Sequence, residues 1–229
     1  MPTKNPRLNV VLDGELYEMI AKIAKQEGKS MSVVAKELMG DALEKHEDLL
    51  LSEMAMKREA KSKKIIAIVG LMGVGKTTLG LKLAQKLGYY FADSDLEIED
   101  REQKSISEIF VKNGEKYFRE IEKNIIKEII ARDEQTVLSL GGGAFMNDEI
   151  RDILREKAFV IWLYAPLEVI LHRLGNKNNR PLLQGVNRRK VLEELAAERY
   201  PVYGLADIKI ETSNSGHEIV INKILELLK

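Results

Sequence analysis

The chain has no cysteine in its 229 residues, one tryptophan and three histidines. Without cysteine there is no disulfide framework and no thiolate chemistry, which suits a reducing cytoplasm. His46, His172 and His217 lie far apart without ligand-like spacing, so a metal site built on histidine is not expected. Net charge is also missing: 36 basic residues balance 36 acidic ones, leaving no overall field to favour nucleic acid or membrane. No run approaches the ~20 apolar residues of a membrane span. The start, Met1-Pro2-Thr3-Lys4-Asn5-Pro6-Arg7, lacks the apolar core of a signal peptide. The expectation is a cytoplasmic protein with no membrane partner, of one or two domains, with 45% hydrophobic residues to build a core.

What is present centres on Gly70-Leu71-Met72-Gly73-Val74-Gly75-Lys76-Thr77-Thr78, which follows the apolar run Ile65-Ile66-Ala67-Ile68-Val69 and opens a segment with helical spacing. It fits G-x-x-x-x-G-K-[ST], a phosphate-binding loop between a strand and a helix. Glycine lets the loop backbone turn its N–H groups onto phosphate oxygens, and the following helix adds its N-terminal dipole. Lys76 can reach the outer phosphates and the Thr77 hydroxyl can ligate magnesium, so a nucleotide with magnesium is expected, and the loop alone says no more than nucleotide.

The first sixty residues form a separate unit. Leu8, Val10 and Leu12 alternate with Arg7, Asn9 and Val11, the pattern of a short strand. Asp13 can cap a helix with Leu16, Ile20 and Ile23 inward, which stops at Gly28. Ser30 or Ser32 starts a second helix with Val34, Leu38, Ala42 and Leu43 inward. One strand and two helices cannot bury a core alone, so association, most simply as a homodimer, is expected. This order over residues 6–46 resembles the ribbon-helix-helix family, whose chains pair their strands within an intertwined dimer. The resemblance implies base contacts from Arg7, Asn9 and Val11, with the backbone around Lys29 to Ser32 on a phosphate. Residues 1–60 hold nine Lys or Arg against eleven Asp or Glu. That lacks the basic footprint of a dedicated DNA binder, and a pure dimerisation module stays open beside DNA binding. Residues 1–48 are read as this domain, 49–62 as a helical linker and 63–229 as a second domain.

The second domain alternates strands and helices, the signature of a parallel sheet covered on both faces. Strands are expected at Tyr89 to Phe91, Thr136 to Leu140, Ala158 to Tyr164 and Asp207 to Ile210, besides Ile65 to Val69. A capping box begins a helix at Ser105, Asn113-Gly114 is a stop, Glu115 to Arg132 a longer helix, and Gly216 to Leu228 the last one. Trp162 reads as core. Asp93 and Asp95 emerge at the carboxyl end of the sheet beside the phosphate loop, where one can hold magnesium through water and the other orient an attacking hydroxyl. A helix N-cap is the plainer role for such an acid. Gly141-Gly142-Gly143 at a strand end implies close approach of backbone to something small.

Six motifs then fall in one family's order: residues 70–78, Phe91-Ala92-Asp93-Ser94-Asp95, Gly114-Glu115-Lys116-Tyr117-Phe118-Arg119-Glu120-Ile121-Glu122, Leu138-Ser139-Leu140-Gly141-Gly142-Gly143, Arg180-Pro181-Leu182-Leu183 and Arg199-Tyr200-Pro201-Val202-Tyr203. Residues 63–229 resemble shikimate kinase. The resemblance implies a nucleoside-monophosphate-kinase-like fold with a five-stranded parallel sheet, and transfer of the γ-phosphate of ATP to the 3-hydroxyl of shikimate. It also implies roles. Arg119 and Arg199 would grip the substrate carboxylate and Asp95 its ring hydroxyls, backed by Gly141, Gly142 and Gly143. Thr77 and Asp93 would serve magnesium. Gly70, Met72, Gly73, Val74, Gly75, Lys76, Thr77 and Thr78 would cradle the phosphates, Arg173 would stack on adenine, and Arg180 would close on the transferring phosphoryl group from a lid. Lys76, Asp95 and Arg180 carry catalysis in this reading. Tyr203-Gly204-Leu205-Ala206-Asp207 is one residue short of the family's spacing, and the adenine loop around Thr212 to Ser215 is short. The alternatives are a ligand-sensing transcriptional regulator that keeps a kinase-like domain, and a kinase for another small polyol such as gluconate.

Overall fold

A computed structural model describes residues 8–175, 187–212 and 216–228. The chain divides into two compact units, Met1–Ala55 and Met56–Lys229.

In the first unit, α1 (Gly14–Glu27) begins where Asp13 accepts a hydrogen bond from the Leu16 amide at 2.8 Å, and it ends at Gly28 in the left-handed region. The second helix, α2 (Met31–Ser62), starts where Ser30 Oγ accepts from the Val33 amide at 3.4 Å. Residues 49–62 continue it without a break. Ile20, Ala24 and Val34 form a three-residue core, with Leu12, Ile23 and Met31 partly buried against it. Two expectations differ here. Residues 8–13 form no strand, because an alternating segment needs a second backbone to satisfy its N–H and C=O groups and a single chain offers none. Leu16, Leu38 and Leu43, read as inward, are 41%, 44% and 65% exposed.

The second unit is built on five parallel strands in the order β2-β3-β1-β4-β5. These are β1 (Ile65–Val69), β2 (Tyr90–Asp93), β3 (Thr136–Ser139), β4 (Ala158–Tyr164) and β5 (Ile208–Glu211). All five residues of β1 are buried, as a central strand covered on both faces requires. Helix α3 (Lys76–Leu87) packs on β1, β2 and β3 with α9 (His217–Leu228) beside it. Helix α6 (Asp148–Lys157) packs on β4 and against α5 (Ile106–Ala131). The shorter α4 (Ser94–Glu102) and α7 (Leu167–Leu174) and the longer α8 (Arg188–Tyr203) complete the unit. The Ser105 capping box forms at the start of α5. The expected stop at Gly114 is present: Gly114 takes φ 81 and ψ 170, a non-helical kink that separates two helical stretches within α5, the longer of them running from Glu115. Trp162 is core, 7% exposed, its ring 5.3–6.0 Å from those of Tyr164, Tyr200 and Tyr203. Lys209 Nζ lies 4.4 Å from the Trp162 ring centroid and 4.0 Å from that of Tyr164.

Candidate active site

The sheet brings polar groups to its carboxyl edge, and β1, followed first by strands on one side and then by β4 on the other, puts the crevice there. A cleft of about 1130 Å³ opens along this edge, lined by Met72–Leu79, Asp93, Asp95, Arg119, Glu122, Gly142, Gly143, Arg173 and Arg199 among others.

The end of β1 runs into the phosphate loop. Gly70 sits at φ 145, where a Cβ would lie 2.4 Å from the Leu163 carbonyl oxygen, so loop and β4 approach more closely than any side chain permits. Lys76 Nζ donates to the carbonyls of Gly70 at 3.0 Å and Leu71 at 3.2 Å, which folds the ammonium over the loop's mouth. Thr77 Oγ1 donates to Asp93 Oδ2 at 2.7 Å. The other oxygen of Asp93 accepts from the amides of Asp95 at 3.1 Å and Leu96 at 3.4 Å, capping α4. The cap role thus falls on Asp93, whose second oxygen holds the Thr77 hydroxyl, and Asp95 is left inside the first turn of α4.

Beyond β3 the glycines are enclosed by charged side chains. A Cβ on Gly141 would lie 2.4 Å from Asp95 Oδ1 and 2.8 Å from Glu122 Oε1. One on Gly142 would lie 3.2 Å from Arg199 Nη1, and one on Gly143 would lie 2.6 Å from both Arg119 Nη atoms. Glycine here is a matter of space: the guanidinium groups of α5 and α8 and the carboxylate of α4 converge on bare backbone. Ser94 Oγ accepts from the Gly141 amide at 2.8 Å, and Tyr203 Oη donates to the Gly142 carbonyl at 2.5 Å, holding the segment from both sides. Burial pushes the Tyr203 hydroxyl up to about 12, so it stays a donor. The segment after Tyr203 is anchored by Asp207, whose Oδ2 accepts from the Val160 amide at 2.6 Å.

Arg119 donates to Glu122 Oε2 at 2.7 Å and to Glu115 Oε1 at 3.1 Å. Glu122 is 1% exposed, and desolvation pushes its carboxyl up to about 7, Arg119 pulling against this and Asp95 adding to it. Arg199 is 6% exposed. Among the described residues, Glu122 Oε1 and Arg199 Nε have no hydrogen-bond partner. Arg173 spends the edge of its guanidinium on structure, donating from Nη1 to the Val74 carbonyl at 3.2 Å and to Thr212 Oγ1 at 3.1 Å. This ties the phosphate loop to the end of β5 and leaves the planar faces of the group for stacking.

The residues expected at phosphates, magnesium and substrate are therefore gathered along one edge, except Arg180, which lies outside the described residues along with Ser213 to Ser215. Glu122, Tyr203 and Ser94 carry no role in the sequence reading, and Thr212 enters it only as part of the adenine loop. The i, i+3 spacing of Arg119 and Glu122 on a helix was a readable signal for the first.

The shikimate kinase family model matches residues 72–229. The chain belongs to the shikimate kinase family. A CopG-like RHH_1 or ribbon-helix-helix domain matches residues 5–47. Shikimate kinase of Caulobacter vibrioides is 44% identical over 166 residues, covering 72% of this chain and 82% of the relative. That of Brucella canis is 39% identical over 171 residues, covering 75% and 85%. Among solved structures, shikimate kinase from Acinetobacter baumannii in complex with shikimate aligns with a TM-score of 0.70 at 39% identity, covering 75% of this chain and 96% of that one. The Aquifex aeolicus enzyme aligns with a TM-score of 0.63 at 35% identity, covering 72% and 95%.

Proposed function

We propose that this shikimate kinase transfers the γ-phosphoryl group of ATP to the 3-hydroxyl of shikimate, in the cytoplasm, as a step towards chorismate. One observation carries the reading. Two arginines from separate helices, Arg119 and Arg199, meet at Gly142 and Gly143 with Asp95 beside Gly141, and the phosphate loop shares the same cleft. A guanidinium pair suits a small carboxylate, and a carboxylate nearby suits the hydroxyls of the same ring.

The loop amides and the N-terminus of α3 bind the phosphates, and Lys76 moves from the loop carbonyls to the outer phosphate oxygens. Thr77 and Asp93 supply two hard oxygen donors 2.7 Å apart, the donor type that magnesium takes together with nucleotide oxygens and water. They would hold magnesium, which would supply charge neutralisation at the phosphates. Asp95 orients the 3-hydroxyl and accepts its proton as the oxygen attacks phosphorus. Arg119 and Arg199 hold the carboxylate and so fix which hydroxyl faces the phosphate. Arg173 stacks on adenine, and Arg180 closes over the phosphoryl group to exclude water.

The N-terminal unit pairs with a second copy through residues 8–13 and the exposed faces of its helices, giving a homodimer. Asn9 and Val11 are exposed, as the outward residues of a paired ribbon would be. Replacing Arg7 and Asn9 by alanine leaves turnover intact; a fall in affinity for duplex DNA in that variant would assign them to base contacts, and no fall would leave the unit as a pairing module.

The test of the main reading is ADP release by the full-length protein with magnesium-ATP, with and without shikimate. Shikimate-dependent turnover supports it. Tight binding of shikimate with no turnover would instead point to a sensor.

A further inference from the structure

The buried carboxyl group of Glu122 has no place in the transfer chemistry, yet it lies at the meeting point of every charge that faces the substrate carboxylate. Its Oε2 accepts from Arg119 at 2.7 Å, while Oε1 points at Gly141 beside Asp95 Oδ1, with no hydrogen-bond partner among the described residues. The groups facing it can be named element by element. Helix α5 brings Arg119, itself shared with Glu115; α4 brings Asp95; α8 brings Arg199 and, through its bond to Gly142, Tyr203. The turn at Ala144–Met146 brings no titratable group. On α6, Glu149 is engaged by Lys123 and Lys127, and Arg151 donates to the Phe145 carbonyl and to Asp148.

Glu122 and Asp95 therefore balance Arg119 and Arg199. A substrate carboxylate placed between the two arginines makes three anions against two cations around the buried Glu122 carboxyl. Something must give. Arg119 and Arg199 stay charged, since a guanidinium does not lose its proton in a protein. Asp95, nearer the open cleft, must remain a carboxylate to take the hydroxyl proton. Glu122 is the most deeply buried of the anions, so its charge is the costliest to keep.

We propose that Glu122 is a positioning residue that surrenders Arg119 to the substrate carboxylate by taking up a proton from solvent, so that shikimate binding and proton uptake are one event. This rests on the substrate assignment above. An O–H bond forms on Glu122, the proton comes from water or buffer, and the site's net charge is the same before and after. Oε1 is the oxygen free to carry the proton. The carboxyl already sits near pH 7 before the anion arrives, and the anion raises it further, so uptake is small at pH 6, where most Glu122 is protonated beforehand. It grows above pH 7 and fades once the pH exceeds the value in the complex. Over the window between the two values the dissociation constant for shikimate rises by up to about tenfold per pH unit.

The experiment is isothermal titration of the full-length protein with shikimate, at pH 6, 7 and 8, in buffers of different ionisation enthalpy. The expected result is an apparent enthalpy that depends on the buffer most strongly at pH 8, with a sign that means uptake, and that loses this dependence in Glu122→Gln. Mg-ATP titrated into Glu122→Gln binds as in the wild type and shows that the variant is folded. Should that variant not fold, Glu122→Asp retains the charge at a greater distance from Arg119 and moves the pH at which uptake occurs. Three results overturn the proposal: shikimate heat with no buffer dependence at any pH, uptake that persists unchanged in the Glu122 variant, and uptake abolished by Asp95→Asn instead. Absence of any shikimate heat removes the substrate assignment itself, and this inference with it, which is a different failure from a buffer-independent heat.

Discussion

The two units of this chain use the same kinds of residue to different ends. In the kinase unit, leucine, isoleucine and valine close into one large core around a sheet whose central strand is wholly buried. In the N-terminal unit three of the described residues are buried, while Leu8, Val10, Val11, Leu38, Leu43, Leu49, Leu50 and Leu51 are exposed. The first unit to fold alone must bury enough surface to offset the entropy of ordering its chain; about fifty residues with three buried side chains cannot do so. The contrast teaches that one unit closes its own core within a single chain, whereas the other leaves apolar faces uncovered, which is what the pairing proposed above would cover.

The largest effect that would sharpen this contrast is chemical. Asp95→Asn should lower turnover by about 10³-fold, in the range of a lost general base, while nucleotide binding and oligomeric state stay as they are. Full turnover in that variant would remove Asp95 from the mechanism. Next comes pH. Glu122 is raised in the folded state from 4.5 to about 7, so its share of stability is present below about pH 4.5 and lost as pH rises through about 7. That loss is worth about 3 kcal/mol, and it should be missing from the thermal melts of Glu122→Gln across pH 4 to 8. A similar loss in both proteins would place the titration elsewhere. Gly141→Ala puts a methyl group against Asp95 and Glu122 together, and a displacement of roughly 1 Å there should cost about 10²-fold in kcat/KM for shikimate.

The N-terminal unit answers to smaller perturbations. Ile20→Ala should destabilise that unit by about 2 kcal/mol, seen as a lower midpoint in a concentration-dependent melt, with the kinase transition unmoved. Leu38→Glu combined with Leu43→Glu should abolish dimerisation in analytical ultracentrifugation yet change turnover by no more than about twofold. A large loss of activity there would break the comparison, because it would mean that the second copy is needed by the active site.

Much of this was legible from sequence, for reasons that differ by element. The phosphate loop is read from spacing because backbone geometry demands glycine and chemistry demands lysine and threonine at fixed offsets. Strands β1 and β4 are read because a covered parallel strand is an unbroken apolar run. Legibility failed where the deciding partner is distant or absent. Residues 8–13 carry a strand's alternation but not the strand's partner. Glu122 was visible as a letter in a motif, but its burial between two arginines from different helices depends on the whole sheet being assembled. Arg173 was read as an adenine platform alone; its second task, tying the phosphate loop to the end of β5, needed Thr212 from 39 residues later.

Trp162 is the single tryptophan of the chain, and its surroundings make it a native optical probe. Tyr203, whose ring stands 6.0 Å from it, holds Gly142, and Tyr200 lies next to Arg199. Any rearrangement of α8 as an anion draws in Arg199 must shift the dipoles and the Lys209 charge around the indole, and with them its emission energy and lifetime. Fluorescence excited selectively at tryptophan would thus follow occupancy of the substrate corner in unlabelled protein, and the N-terminal unit, having no indole, would contribute nothing to the signal.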